Sequence, residues 1–84
     1  MLVEFKAIWI DEDEPVTGEP VEFEGNVAFF TEFVTAFNES TIPGYTTIHV
    51  KEAGSFNCKV SYQKFKELLE KQGLLTYEAK IRAN

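Results

Sequence analysis

The stretch from Asn26 to Asn38 constrains this chain more than any other, because Val27, Phe30, Val34 and Phe37 recur at three- and four-residue steps. That is the spacing of one helical face. Phe29, Phe33 and Ala36 widen the stripe until only Thr31, Glu32 and Thr35 are left for solvent. The pattern predicts a helix over 26–38, apolar on most sides, with Asn26 as its N-cap and the remaining segments as its cover.

The covering segments read mostly as strands. Val3, Phe5, Ala7 and Trp9 alternate with Glu4 and Lys6, a strand with one buried face, and Ile8 and Ile10 extend burial to both faces at its far end. Residues 11–20, with Pro15, Gly18 and Pro20 among acids, predict a loop. Val21 to Glu24 alternates briefly and predicts a short strand antiparallel to the first, and Ser40 to Gly44 is a turn-forming connector. Tyr45 to Val50 and Phe56 to Val60 predict a hairpin. A loop of Glu52, Ala53 and Gly54 sets Val50 opposite Phe56 and Ile48 opposite Cys58, with Ile48, Val50, Phe56, Cys58 and Val60 on one face. A two-residue loop would instead set His49 opposite Cys58, and burial selects against it. Ser61 predicts the N-cap of a helix to about Gln72 with Phe65, Leu68 and Leu69 as its stripe and Gly73 past its end. Leu75, Tyr77, Ala79 and Ile81 alternate with polar residues, a last strand.

The order strand–strand–helix–strand–strand–helix–strand predicts an α+β fold. The expected architecture is a two-layer sandwich with a mainly antiparallel sheet of about five strands and two helices on one face. Eighty-four residues suffice for one domain with a single modest core. No apolar run approaches the ~20 residues that span a bilayer. A basic segment followed by an apolar one is not visible at the N-terminus. With its single cysteine, the chain is expected in a reducing, cytoplasmic setting. Asn38-Glu39-Ser40 matches a glycosylation sequon, a triplet short enough to arise by chance.

Charge is the most informative functional signal. Residues 1–44 hold ten carboxylates and one base, Lys6, a balance of −9, whereas residues 45–84 hold four carboxylates and seven bases, +3. Between Lys6 and Lys51 there is no Lys or Arg, and Asp11, Glu12, Asp13, Glu14, Glu19, Glu22 and Glu24 crowd one short segment. A molecule so divided is a dipole with one strongly negative region.

Several chemistries are weighed against this pattern. A thiol nucleophile needs Cys58 beside a base, but the favoured register sends His49 to the other face and Cys58 to the core. Calcium needs six or more converging oxygens, and four consecutive acids diverge, with no acid at the closing spacing of a calcium loop. One His and one Cys cannot supply a transition-metal site. The glycines fall singly at boundaries and make no phosphate loop. No metal, cofactor or enzymatic activity is therefore expected. Lys59, Lys64, Lys66, Lys71, Lys80 and Arg82 are interleaved with Glu67, Glu70 and Glu78, a solvated mixed-charge face rather than a nucleic-acid site.

The expected function is a protein-binding module. Its acidic half, with Asp11, Glu12, Asp13, Glu14, Glu19, Glu22 and Glu24 as contact candidates, would dock on a basic, nucleic-acid-binding partner protein. DNA mimics and small phage-encoded inhibitors act this way, a likeness of composition alone. Trp9 and Tyr45 would add an aromatic anchor if exposed. The alternative is a self-associating structural subunit, a homo-oligomer pairing acidic with basic halves, and a weaker one is a calcium-responsive domain or small enzyme. An acidic loop that only keeps the domain soluble is the plain reading against which these stand.

Overall fold

A computed structural model describes residues 1–11 and 21–74. The chain opens with a long antiparallel pair, β1 (Leu2–Asp11) and β2 (Val21–Phe30), in unbroken register from Leu2 opposite Phe30 to Asp11 opposite Val21. The expected first two strands are thus present, the second longer than its first four residues suggest. A single 3-10 turn (Thr31–Phe33) leads into β3 (Val34–Glu39). After it come β4 (Thr46–Val50), β5 (Gly54–Cys58) and one helix, α1 (Tyr62–Lys71). The architecture is α+β, with the antiparallel strands in the order β2-β1-β5-β4-β3.

The expected helix over 26–38 is not formed: its residues are the second half of β2, the 3-10 turn and β3. Two physical reasons account for this. The segment is rich in aromatic and β-branched residues, which suit a pleated, half-buried surface. Its helical spacing is also a coincidence of a corner and a bulge. Val27 and Phe29 face the core from β2, whereas Phe30 faces the opposite way and is 50 % exposed. Val34 and Phe37 then share the core face three residues apart only because the β3–β4 register shifts between Val34 and Ala36. The expected strand from Leu75 to Ile81 lies outside the described residues, as does the loop over 12–20.

The β4–β5 hairpin keeps the expected faces but not the expected partners. Ile48 pairs with Phe56, Thr46 with Cys58 and Val50 with Gly54, around a loop of Lys51, Glu52 and Ala53. The slip of two residues preserves which side chains face the core, because strand side chains alternate with a period of two. Glu52 (φ 64°) and Gly54 (φ 104°) supply the left-handed backbone that closes the turn.

The sheet is curled. Phe30 and Val34 are four residue steps apart, at most ~14 Å of chain, yet the outer strands of a flat five-stranded sheet lie ~19 Å apart. So β2 and β3, which occupy opposite ends of the strand order, must converge at the 3-10 corner. That corner is tied to both neighbours: Thr31 N–H donates to the Met1 carbonyl (2.9 Å) and Lys51 N–H to the Phe33 carbonyl (2.8 Å). A bond of 2.5 Å from the Met1 amine to Glu32 Oε1 adds to it and holds that carboxyl below its usual range.

Helix α1 fills the concave side. Ser61 Oγ accepts from Lys64 N–H at its start, and Gly73 (φ 72°) reverses the chain after its end, as expected. Phe65 and Leu69 are buried among Ala7, Phe29, Ile48, Val50 and Cys58. The Phe65 ring meets Phe5 and Phe37 edge-on, so one residue joins β1 to β3. The two buried threonines are satisfied, Thr46 by the Val60 carbonyl (2.7 Å) and Thr31 by Gln72 Oε1 (2.5 Å).

Candidate functional site

With α1 on the concave side, no described element lies over the convex face, and Glu22 and Glu24 stand there. On β1 and β2 the outward residues are Leu2, Glu4, Lys6, Ile8 and Ile10 opposite Phe30, Ala28, Asn26, Glu24 and Glu22. Glu22 and Glu24 are thus neighbours on one strand, both exposed, with exposed Glu4 on the adjacent strand. Asp11 ends β1 opposite Val21. Glu12, Asp13, Glu14 and Glu19 lie outside the described residues. Trp9 is half-buried, stacked on Phe23 and edge-on to Phe56. Tyr45 is half-buried too, beside a depression of about 260 Å³ that Lys6, Glu24, Asn26 and Lys59 also line.

The other half of the convex face carries a polar network that sequence reasoning missed. His49 and Ser55 are directly paired across β4 and β5, and His49 Nδ1 lies 2.6 Å from Ser55 Oγ. Its Nε2 lies 3.3 Å from Asn38 Oδ1 on β3. The Asn38 amide is oriented by its own Nδ2, which donates to the Glu39 carbonyl at 3.0 Å. An acceptor at Asn38 Oδ1 favours the imidazole proton on Nε2, the tautomer in which Nδ1 accepts from the serine. Two residues along β5, Asn57 Oδ1 accepts from Thr47 Oγ1 (2.7 Å) and Ser40 Oγ (3.1 Å).

Beside this network the sheet opens. The β1–β5 pairing comprises Ala7 with Cys58 and Ile8 with Asn57 and stops there. Past that point a cavity of about 380 Å³ is lined by Trp9, Ile10, Thr47, Ser55 and Asn57. The only sequence signal for the network is the His–Ser spacing within one hairpin. The expected register, two residues out, places Asn57 rather than Ser55 opposite His49.

Cys58 stands on the concave face, fully buried, and burial pushes its thiol up to about 11. It and His49 face opposite sides of the sheet, as the alternation required. Among the described residues no group of three or more His, Cys, Asp or Glu is placed to hold a metal ion. No described helix is long and apolar enough to cross a membrane. No protein-family model, curated protein or solved structure matches this chain.

Proposed function

We propose that this chain is a protein-binding module whose acidic half docks on a basic partner surface, one that itself handles nucleic acid. The observation that carries the reading is the β1–β2 ribbon, whose outward face no described element covers. It sets the exposed carboxylates of Glu4, Glu22 and Glu24 beside exposed Ile10 (55 %), Leu2 (60 %) and Phe30 (50 %). Charge steers and orients a basic partner, while apolar side chains supply the contact energy that a solvated carboxylate does not. A purely solubilising surface has no need of the second component, since exposed large apolar side chains lower solubility.

The test is affinity capture from cell lysate by wild type, by Glu22→Gln/Glu24→Gln, and by Asp11→Asn/Glu12→Gln/Asp13→Asn/Glu14→Gln. Retention of a basic nucleic-acid-binding protein by wild type, its release by added duplex DNA, and its loss from the variants are the expected results. Equal retention by all three proteins, or release by salt but not by DNA at matched ionic strength, overturns the reading.

A further inference from the structure

We infer that Ser55, His49, Asn38 and Asn57 form a nucleophilic serine site for small carboxylic esters, separate from the acidic ribbon. Four observations converge on it. The serine hydroxyl is exposed and within hydrogen-bond reach of an imidazole nitrogen, the first requirement of an activated nucleophile. The far nitrogen of that imidazole lies against an amide oxygen whose side chain is anchored by its own Nδ2, an arrangement that favours the tautomer with its proton on Nε2 and a base at Nδ1. The two hydrogen bonds that Asn57 Oδ1 accepts, from Thr47 and Ser40, fix its amide, which leaves Nδ2 as a donor on a side chain lining the same cavity as Ser55. Ile10, on the same outward face, and Trp9, which packs toward the core, also line the cavity and give it an apolar component suited to an acyl chain.

The reaction balances within these groups. Ser55 Oγ attacks the ester carbonyl carbon while its proton passes to His49 Nδ1, and the carbonyl oxygen becomes an oxyanion facing Asn57 Nδ2. Collapse breaks the bond to the alcohol oxygen, which takes the proton from His49 and leaves. Water then attacks the acyl-serine, with His49 accepting its proton and returning it to Ser55 Oγ as the acid departs. Asn38 does not touch the reacting atoms. It is a positioning residue that holds the imidazole proton on Nε2.

The test uses the whole chain with p-nitrophenyl butyrate as substrate and a fluorophosphonate as covalent label. Wild type is expected to hydrolyse the ester above the buffer rate and to take up one label, located at Ser55 by peptide mass spectrometry. Ser55→Ala, at an exposed position, removes both while leaving the circular dichroism spectrum unchanged. Asn57→Ala lowers kcat about 100-fold, the size of a lost oxyanion donor. Asn38→Ala lowers kcat with KM unchanged, a split that a merely structural role would not give. A folded wild type no faster than Ser55→Ala, or a label found on any other residue, overturns the inference. Neither result touches the acidic-ribbon reading, whose variants leave these four residues intact.

Discussion

Cys58 shows how a single position couples packing to chemistry. Its side chain is wholly buried in a core of Ala7, Ile48, Phe65 and Leu69, so its thiolate would lose hydration without gaining a partner. The thiol is raised from about 9 to about 11, and the unfolded chain therefore ionises first as pH rises. Stability must fall across that window, by at most ~1.4 kcal/mol per pH unit. Cys58→Ala is expected to flatten this alkaline slope in urea titrations at pH 8, 9, 10 and 11, while costing about 1 kcal/mol at neutral pH for the vacated volume. A slope unchanged by the substitution would show that another group carries it. Iodoacetamide at pH 8 should likewise modify Cys58 only after denaturant is added. Phe65 makes the stronger packing prediction. Its ring bridges β1 and β3 through Phe5 and Phe37, and Phe65→Ala should lower stability by about 3–5 kcal/mol. The readout is a lower urea midpoint with an unchanged slope.

At the scale of elements, the helix was legible and the corner was not. Ser61, the Phe65–Leu68–Leu69 stripe and Gly73 are local signals, and each does in the structure what its chemistry implies. Ser61→Ala should therefore cost about 1 kcal/mol through the lost bond from Lys64 N–H. Gly73→Ala should cost about 1 kcal/mol from its left-handed φ of 72° alone, because nothing lies within 4 Å of the added methyl. Thermal melts of the two variants check both, and a Gly73→Ala melt equal to wild type would mean that the turn relaxes. The β1 and β4–β5 faces were legible for the same local reason, period-two alternation. The stretch over 26–38 misled because its periodicity arises from three elements in succession, and a bulge at Thr35 mimics the helical step from Val34 to Phe37. The His49–Ser55 pair was hidden by hairpin register. Side-chain alternation fixes the face but tolerates a slip of two, and here the turn residues Glu52 and Gly54 decide it.

For the whole molecule, curl and charge act together. Because β2 and β3 converge at the 3-10 corner, the sheet wraps α1 on one side, and β1 and β2 present their other face outward. Glu4, Glu22 and Glu24 share that ribbon with one base, Lys6, within a half of the chain that carries −9. Like charges gathered on a folded surface repel one another more than in the expanded chain, so they oppose folding through unscreened Coulomb energy. Raising ionic strength from about 0.01 M to 1 M shortens the screening length from ~30 Å to ~3 Å, which removes most of that repulsion. The melting temperature should therefore rise with sodium chloride. Glu24→Lys should raise it at low salt by a few tenths of a kcal/mol in stability, and the gain should vanish at high salt. Scanning calorimetry at both ionic strengths checks this. A melting temperature indifferent to salt would mean that the carboxylates are dispersed or compensated, and the acidic ribbon would lose the electrostatic focus on which the proposed docking rests. A salt-dependent rise abolished by Glu24→Lys would instead place the repulsion on the outward ribbon, where a cationic surface relieves it by binding.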